Sequence, residues 1–333
     1  MSVVDVTIDG SAGAANAREV YGAALVELAR QHPEVVALTA DLMLSHQLKG
    51  FKEAHPERFI NVGIAEANLM GVAAGLALYG KIPFATTFAA FAAMRAHEQV
   101  RSDIAYPGLP VKIVGTMGGL SGGVAGPTHA GMEDLGTMRM MPGMTVIAPS
   151  DPLHLTQFVE QAYARRGPVY IRLGRGNDPI VYPKDQLVEI GKAITVQDGS
   201  DATIVSTGVM LREALLAASR LAGSGISARV IDMHTIRPLD VDVIRLAARE
   251  TGVIVTVEDH MVTNGLGSAV AECVAESGET CRVTRLGIPD VFSIIGPPPE
   301  LYHHHGYDAS GIHDSVLAML GERAPQADGS ATQ

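Results

Sequence analysis

Short apolar runs alternate with helix-length segments along nearly the whole chain, and they do so in two successive series. In the first, residues 17–32 show helical spacing at Val20, Ala24 and Leu28, and 35–39 reads as a buried strand. Strand-like runs follow at 58–62, 83–88, 111–116, 145–148 and 169–173. Helical segments lie between them at 66–78, at 91–104, and after Ser150-Asp151-Pro152, a capping residue followed by an early proline. Residues 174–199 break the rhythm with Gly, Asn, Asp and two prolines, and read as a linker carrying a strand or two. A second series then runs through 203–207, 211–221, 228–232, 241–250, 253–258, 268–277 and 282–287. Repeats of this kind predict an α/β protein with two doubly wound domains, each built on a mainly parallel sheet.

Composition narrows the function. A hydrophobic content of 47% over 333 residues can fill two cores. Aromatics are only 5% and Gly numbers 36, which favours close packing of helices on sheets. A formal charge of −11, with no basic run, argues against nucleic-acid binding. Neither a secretory leader nor an apolar run of about 18 residues is visible, so a cytoplasmic protein without a membrane span is expected. Cys273 and Cys281 match no zinc spacing and are expected to stay reduced.

Four segments could carry chemistry. Gly63-Ile64-Ala65-Glu66 places a carboxylate at the start of a helix made almost wholly of small or apolar residues. A helix N-terminus alone can stabilise such a group. Burial among Ala and Gly, however, calls for a partner that can share a proton with it. Phe88 and Phe91 stand where a strand gives way to a helix, spaced to put two rings on one side of the turn. They serve either as core packing or as a slot for a planar heterocycle. Residues 115–131 hold seven glycines after a strand and end in Pro127-Thr128-His129. The segment lacks both the phosphate-loop and the dinucleotide spacing, and its proline fixes an imidazole where a helix begins. Consecutive His303, His304 and His305 point in different directions on any regular element, and read as a solvated helix end rather than a metal site.

These segments resemble the transketolase family of thiamine-diphosphate enzymes, specifically its C-terminal half. The resemblance is carried by Ala40-Asp41-Leu42, Gly63-Ile64-Ala65-Glu66, Thr87-Phe88-Ala89-Ala90-Phe91 and Gly126-Pro127-Thr128-His129. Further on it rests on residues 235–240, 257–260, 265–269 and 285–290, and it covers roughly 14–321. It implies a pyrimidine-binding domain at 1–175, a linker at 176–198, a transketolase C-terminal domain at 199–322 and a disordered tail at 323–333. Transketolases hold the diphosphate and its Mg2+ through a Gly-Asp-Gly element that does not occur in this sequence. The chain is therefore expected to be one subunit of a split transketolase, completed by a separate diphosphate-binding subunit in an α2β2 assembly.

By the same resemblance Glu66 would hold N1′ of the cofactor's aminopyrimidine, with Phe88 and Phe91 stacking on and bordering that ring. Asp41 and Met94 would lie near the cofactor. His129 would face the substrate, and Arg18, Ser45 and Arg175 would bind a sugar phosphate. Three positions depart from the common pattern. Ala125 replaces an Asp, Met117 a substrate-side His, and Met94 an aromatic residue, so the implied substrate is an unusual sugar phosphate or a short aldehyde. Three alternatives stay open: the β subunit of a 2-oxo acid dehydrogenase E1 component, a 1-deoxyxylulose-5-phosphate synthase-like enzyme, and a non-catalytic assembly subunit. Phe91 stands where such synthases carry an arginine.

Overall fold

A computed structural model describes residues 6, 7 and 11–321; the expected tail at 323–333 lies outside the described residues. In chain order the strands are β1 (Ala14–Asn16), β2 (Val35–Thr39), β3 (Phe59–Asn61), β4 (Ile82–Phe88), β5 (Lys112–Thr116), β6 (Thr145–Ile147) and β7 (Val169–Arg172). They continue as β8 (Asn177–Pro179), β9 (Ile194–Gln197), β10 (Ala202–Ser206), β11 (Ala228–Asp232), β12 (Thr235–Arg237), β13 (Val253–Met261) and β14 (Arg282–Ile288). Besides an antiparallel pairing of β1 with β8, one large sheet has the order β12-β6-β7-β5-β4-β2-β3 and the other β14-β13-β10-β11-β9. Every pairing in them is parallel except β12 with β6 and β9 with β11. The expected α/β class with mainly parallel sheets is what the chain adopts.

The reasons are local. β2, β5 and β10 are buried at every position, as strands covered by helices on both faces must be. Helices begin where the sequence supplies a capping side chain. Asn16 accepts from the Arg18 N–H, Asp151 from the Leu153 N–H ahead of a proline at the first helical turn, and Asp240 from the Val243 N–H. The helix Glu66–Leu78 packs beside β4 and buries Leu69, Met70, Ala73, Ala74 and Ala77. His303, His304 and His305 end the helix Pro298–His304 and diverge, His303 toward Asp308 and His305 toward Ser293. Cys273 is a buried free thiol.

Two features differ from the sequence expectation. Residues 91–104 do not form a regular α-helix. Wide turns, in which Ala96 N–H reaches Phe91 C=O and Tyr106 N–H reaches Arg101 C=O, flank the short helix His97–Gln99. Such widened turns reset which side chains share a face, and they recur at functional sites. Secondly, β12 leaves the second series and adds antiparallel to β6 at the edge of the first sheet, ending before Pro238. A three-residue edge strand has no periodicity to betray it. The two halves consequently share one apolar core, in which Ala148 and Tyr170 pack with Val205, Ile231 and Leu266.

Candidate active site

The residues singled out in the first half sit just past the carboxyl ends of parallel strands, where open α/β sheets bind ligands. Asp41 follows β2, Glu66 follows β3, Phe88 ends β4, Met117 follows β5 and Arg175 follows β7. Gly63, at φ +77, turns the chain from β3 so that Glu66 opens its helix. Glu66 is only 4% exposed, and among the described residues its polar partner is Arg95, whose Nη1 lies 3.4 Å from both carboxylate oxygens. The Arg95 side chain is 54% exposed, and its guanidinium rests 3.9 Å above the Phe91 ring.

Three rings gather beside this pair. Phe88 and Phe91 are 5.6 Å apart, and the His129 imidazole lies 6.0 Å from Phe88 and 5.4 Å from Phe91. The Thr128 hydroxyl is 2.9 Å from His129 Nδ1, which leaves Nε2 to face a ligand. Met117, at φ 59, is buried behind this loop, while Ala125 is half-buried on it. Met94 is exposed next to Arg95.

A cationic cluster adjoins the rings. Arg18 Nη1 donates to the Ser45 carbonyl at 2.9 Å. Burial, and then the neighbouring Arg175 charge, lowers the Arg18 pKa, while Glu19 and Asp178 act the other way. Like charges held together in this way suit an anion with several oxygens. His46, beside Ser45 in sequence, meets Phe88 edge-on at 5.5 Å and links the cluster to the rings. Burial, with Arg18 adding to it, pushes the His46 pKa down to about 3, and Nε2 has no partner.

Sequence patterns do not reveal Arg95, His46 or Asn61. Asn61 ties Asp41 to the Glu66 turn: its Oδ1 accepts from the Asp41 and Gly63 N–H groups, and its Nδ2 donates to the Asp41 carboxylate at 3.0 Å. Asp41 therefore faces the entry to the Glu66 helix, where no contact joins it to the aromatic rings. None of these three residues lies in a recognisable motif. Two large grooves, about 810 and 490 Å³, meet at Arg245 in the second half and hold none of the expected site residues. Among the described residues no cluster of three His, Cys, Asp or Glu could hold a metal ion, and no helix is long and apolar enough to cross a membrane.

A buried carboxylate thus stands beside a group of aromatic rings at the carboxyl edge of a mainly parallel α/β sheet. The sequence matches the family model of the transketolase pyrimidine-binding domain over residues 14–179, and that of the transketolase C-terminal domain over residues 191–312. The chain belongs to the transketolase family, and membership implies thiamine diphosphate as the cofactor. It is 44% identical to the 6-deoxy-6-sulfo-D-fructose transketolase subunit SqwH of Clostridium sp. (strain MSTE9), across 89% of this chain and 91% of that protein. It is 40% identical to an apulose-4-phosphate transketolase subunit of Phocaeicola vulgatus, across 91% of this chain and 97% of that one. Among solved structures it is similar to a split-gene transketolase, described as an inactive β4 tetramer, with 45% identity and a TM-score of 0.86 over 92% of this chain and 99% of that one.

Proposed function

We propose that this chain is the subunit of a split transketolase that holds the aminopyrimidine of thiamine diphosphate against Glu66, Phe88 and Phe91. In this reading it carries out two-carbon ketol transfer between sugar phosphates or short aldehydes. One observation carries the proposal: a carboxylate buried to 4% exposure whose polar partner is a half-exposed guanidinium lying on an aromatic ring. Arg95 shows that a flat, hydrogen-bonding group fits between Glu66 and Phe91. Because the arginine is half-exposed, its guanidinium can move into water when another group takes its place beside Glu66.

Thiamine diphosphate, when bound, supplies the carbon nucleophile that accepts the two-carbon unit. The chain's own residues do the rest. Glu66 shares a proton with the ring nitrogen N1′, which its burial favours because an unshared charge there is costly. Phe88 and Phe91 fix the plane of the ring. His129, held through Nδ1 by Thr128, turns Nε2 toward the substrate oxygen on which charge develops. Arg18 and Arg175, with Ser45, bind the anionic end of a ketose, and both relatives above are named for substrates with such an end. Asp41 and Met94 border the cofactor. Ala125 and Met117 remove polar readout of the sugar and point to a substrate outside the common set.

The diphosphate and Mg2+ fall to a second polypeptide, in an α2β2 complex. Exposed apolar side chains adjoining the site, Leu44, Ile64, Met94 and Val124, form the rim such a partner would cover. We place the pyrimidine-binding domain at 1–175, the linker at 176–198 and the C-terminal domain at 199–322, a division that the family matches at 14–179 and 191–312 support. The test mixes the chain with its diphosphate-binding partner, thiamine diphosphate and Mg2+, and follows transfer from ketose phosphates. Turnover only in the mixture is expected, and Glu66→Ala should abolish it while assembly persists. Turnover of 2-oxo acids onto a lipoyl acceptor, or condensation of pyruvate with a triose phosphate, would overturn the assignment. Full activity of Glu66→Ala would do the same.

A further inference from the structure

The family-like stretch 257–260 has no role in the chemistry above, yet it is the most deeply buried charged segment of the chain. Glu258 and His260 are wholly buried and Asp259 is 2% exposed. Glu258 accepts from the Leu266 and Gly267 N–H groups, and His260 Nε2 from the Gly136 N–H, so both are accounted for as local supports. Asp259 is different. Its two oxygens accept the Leu120 N–H at 2.8 and 3.0 Å, the Tyr307 hydroxyl at 3.0 Å and the Tyr302 hydroxyl at 3.2 Å. All three partners donate to it, a set that a carboxylate accepts without turning either tyrosine hydroxyl. Burial raises the Asp259 pKa, and the Arg172 charge and these donors pull it back.

Leu120 lies at the start of the glycine-rich segment that carries His129. The neck of that segment is closed on itself. Gly119 N–H donates to the Gly131 carbonyl at 2.7 Å, and Gly131 N–H donates to the Met117 carbonyl at 3.0 Å. Arg172 Nη2, whose guanidinium is paired with the buried Asp134, donates to the same Gly131 carbonyl at 2.8 Å. Gly119 sits at φ +61, and a Cβ there would come within 2.2 Å of the Asp259 carboxyl group. The first half of the chain thus secures one side of the neck through Arg172, and the second half secures the other through Asp259. Free glycines would otherwise give this loop a wide choice of backbone conformations.

We propose that Asp259 is a positioning residue: it clamps the neck of the Gly118–Gly131 loop from the C-terminal domain and so sets the His129 imidazole against the Phe88 and Phe91 rings. The inference rests on the substrate-facing role given to His129 above. A loop shifted by about 1 Å would lose on the order of 100-fold in turnover while leaving the cofactor's ring contacts in place.

The experiment uses the reconstituted complex with thiamine diphosphate and Mg2+, and compares Asp259→Asn, His129→Ala and the double variant. Asp259→Asn should lower kcat/KM about 10- to 100-fold with cofactor affinity within about twofold of wild type. The double variant should be no worse than His129→Ala alone, since a residue acting through His129 has nothing left to position. Hydrogen exchange should speed up at the amides of 118–131 and not in the strands of either sheet. Losses that multiply in the double variant, or exchange that rises evenly or not at all, overturn the clamp. If His129→Ala turns over normally, the reading of His129 fails instead, and the exchange pattern alone decides the clamp. Should Asp259→Asn not fold, Tyr307→Phe removes one donor at nearly constant volume. The same pattern at about two- to fivefold is then expected, and its absence is a negative result.

Discussion

Two carboxylate–guanidinium pairs in this chain look alike on paper and do opposite work. Arg95 and Glu66 meet at 3.4 Å, with the arginine 54% exposed and free to leave. Arg172 and Asp134 meet at 3.1 Å at 8% and 0% exposure, with the Tyr170 hydroxyl donating to Asp134 and Arg172 donating to the Gly131 carbonyl. In the function proposed above, the first pair holds a place that another group can take. The second is structural, because neither charge can return to water without unfolding its surroundings. The contrast teaches that exposure of the cation, more than distance, separates a replaceable pair from a permanent one.

The largest effect should come from breaking the permanent pair. Arg172→Met leaves Asp134 charged and buried, and should cost about 3–5 kcal/mol in denaturant unfolding. A loss under about 1 kcal/mol would mean that the buried pair is no more permanent than the exposed one and that the contrast is false.

A second test probes the buried side of the replaceable site. His46 is neutral in the fold with a pKa near 3, against about 6.5 when unfolded, so the unfolded chain takes up its proton first on acidification. Its contribution to stability is complete above about pH 6.5 and is lost as the pH falls toward the folded value. Between pH 7 and 4.5 wild type should lose about 2–3 kcal/mol more than His46→Gln. Parallel pH profiles for the two proteins would show that the ring is protonated without penalty.

Smaller effects separate anion binding from cofactor binding. Arg175→Met should raise KM for a phosphorylated ketose about 10- to 100-fold, with kcat for an unphosphorylated aldehyde acceptor little changed. The mildest change, Arg95→Ala, should tighten thiamine diphosphate binding a few-fold, because a competitor for Glu66 is gone. Weaker cofactor binding in that variant would make Arg95 a ligand contact rather than a placeholder.

Much of the frame was readable from residue order. Alternation of apolar runs and helical segments predicted both sheets, and capping residues such as Asn16 and Asp151 marked helix starts. Phe88, Phe91 and Glu66 stood out because each breaks the small-residue pattern around it. Arg95 did not, since the wide turn that carries it onto Phe91 has no sequence signal of its own. The contact between Asp259 and Leu120 spans 139 positions, beyond the reach of any local pattern.

What residue order determined by itself is the set of elements, because helix and strand periodicity and caps are local energies that neighbouring residues settle. The tertiary structure alone decided which charges are buried with partners and which stay exchangeable. Desolvation depends on everything packed around a group, and for Glu66, Asp134 and Asp259 those surroundings come from segments far apart in the chain.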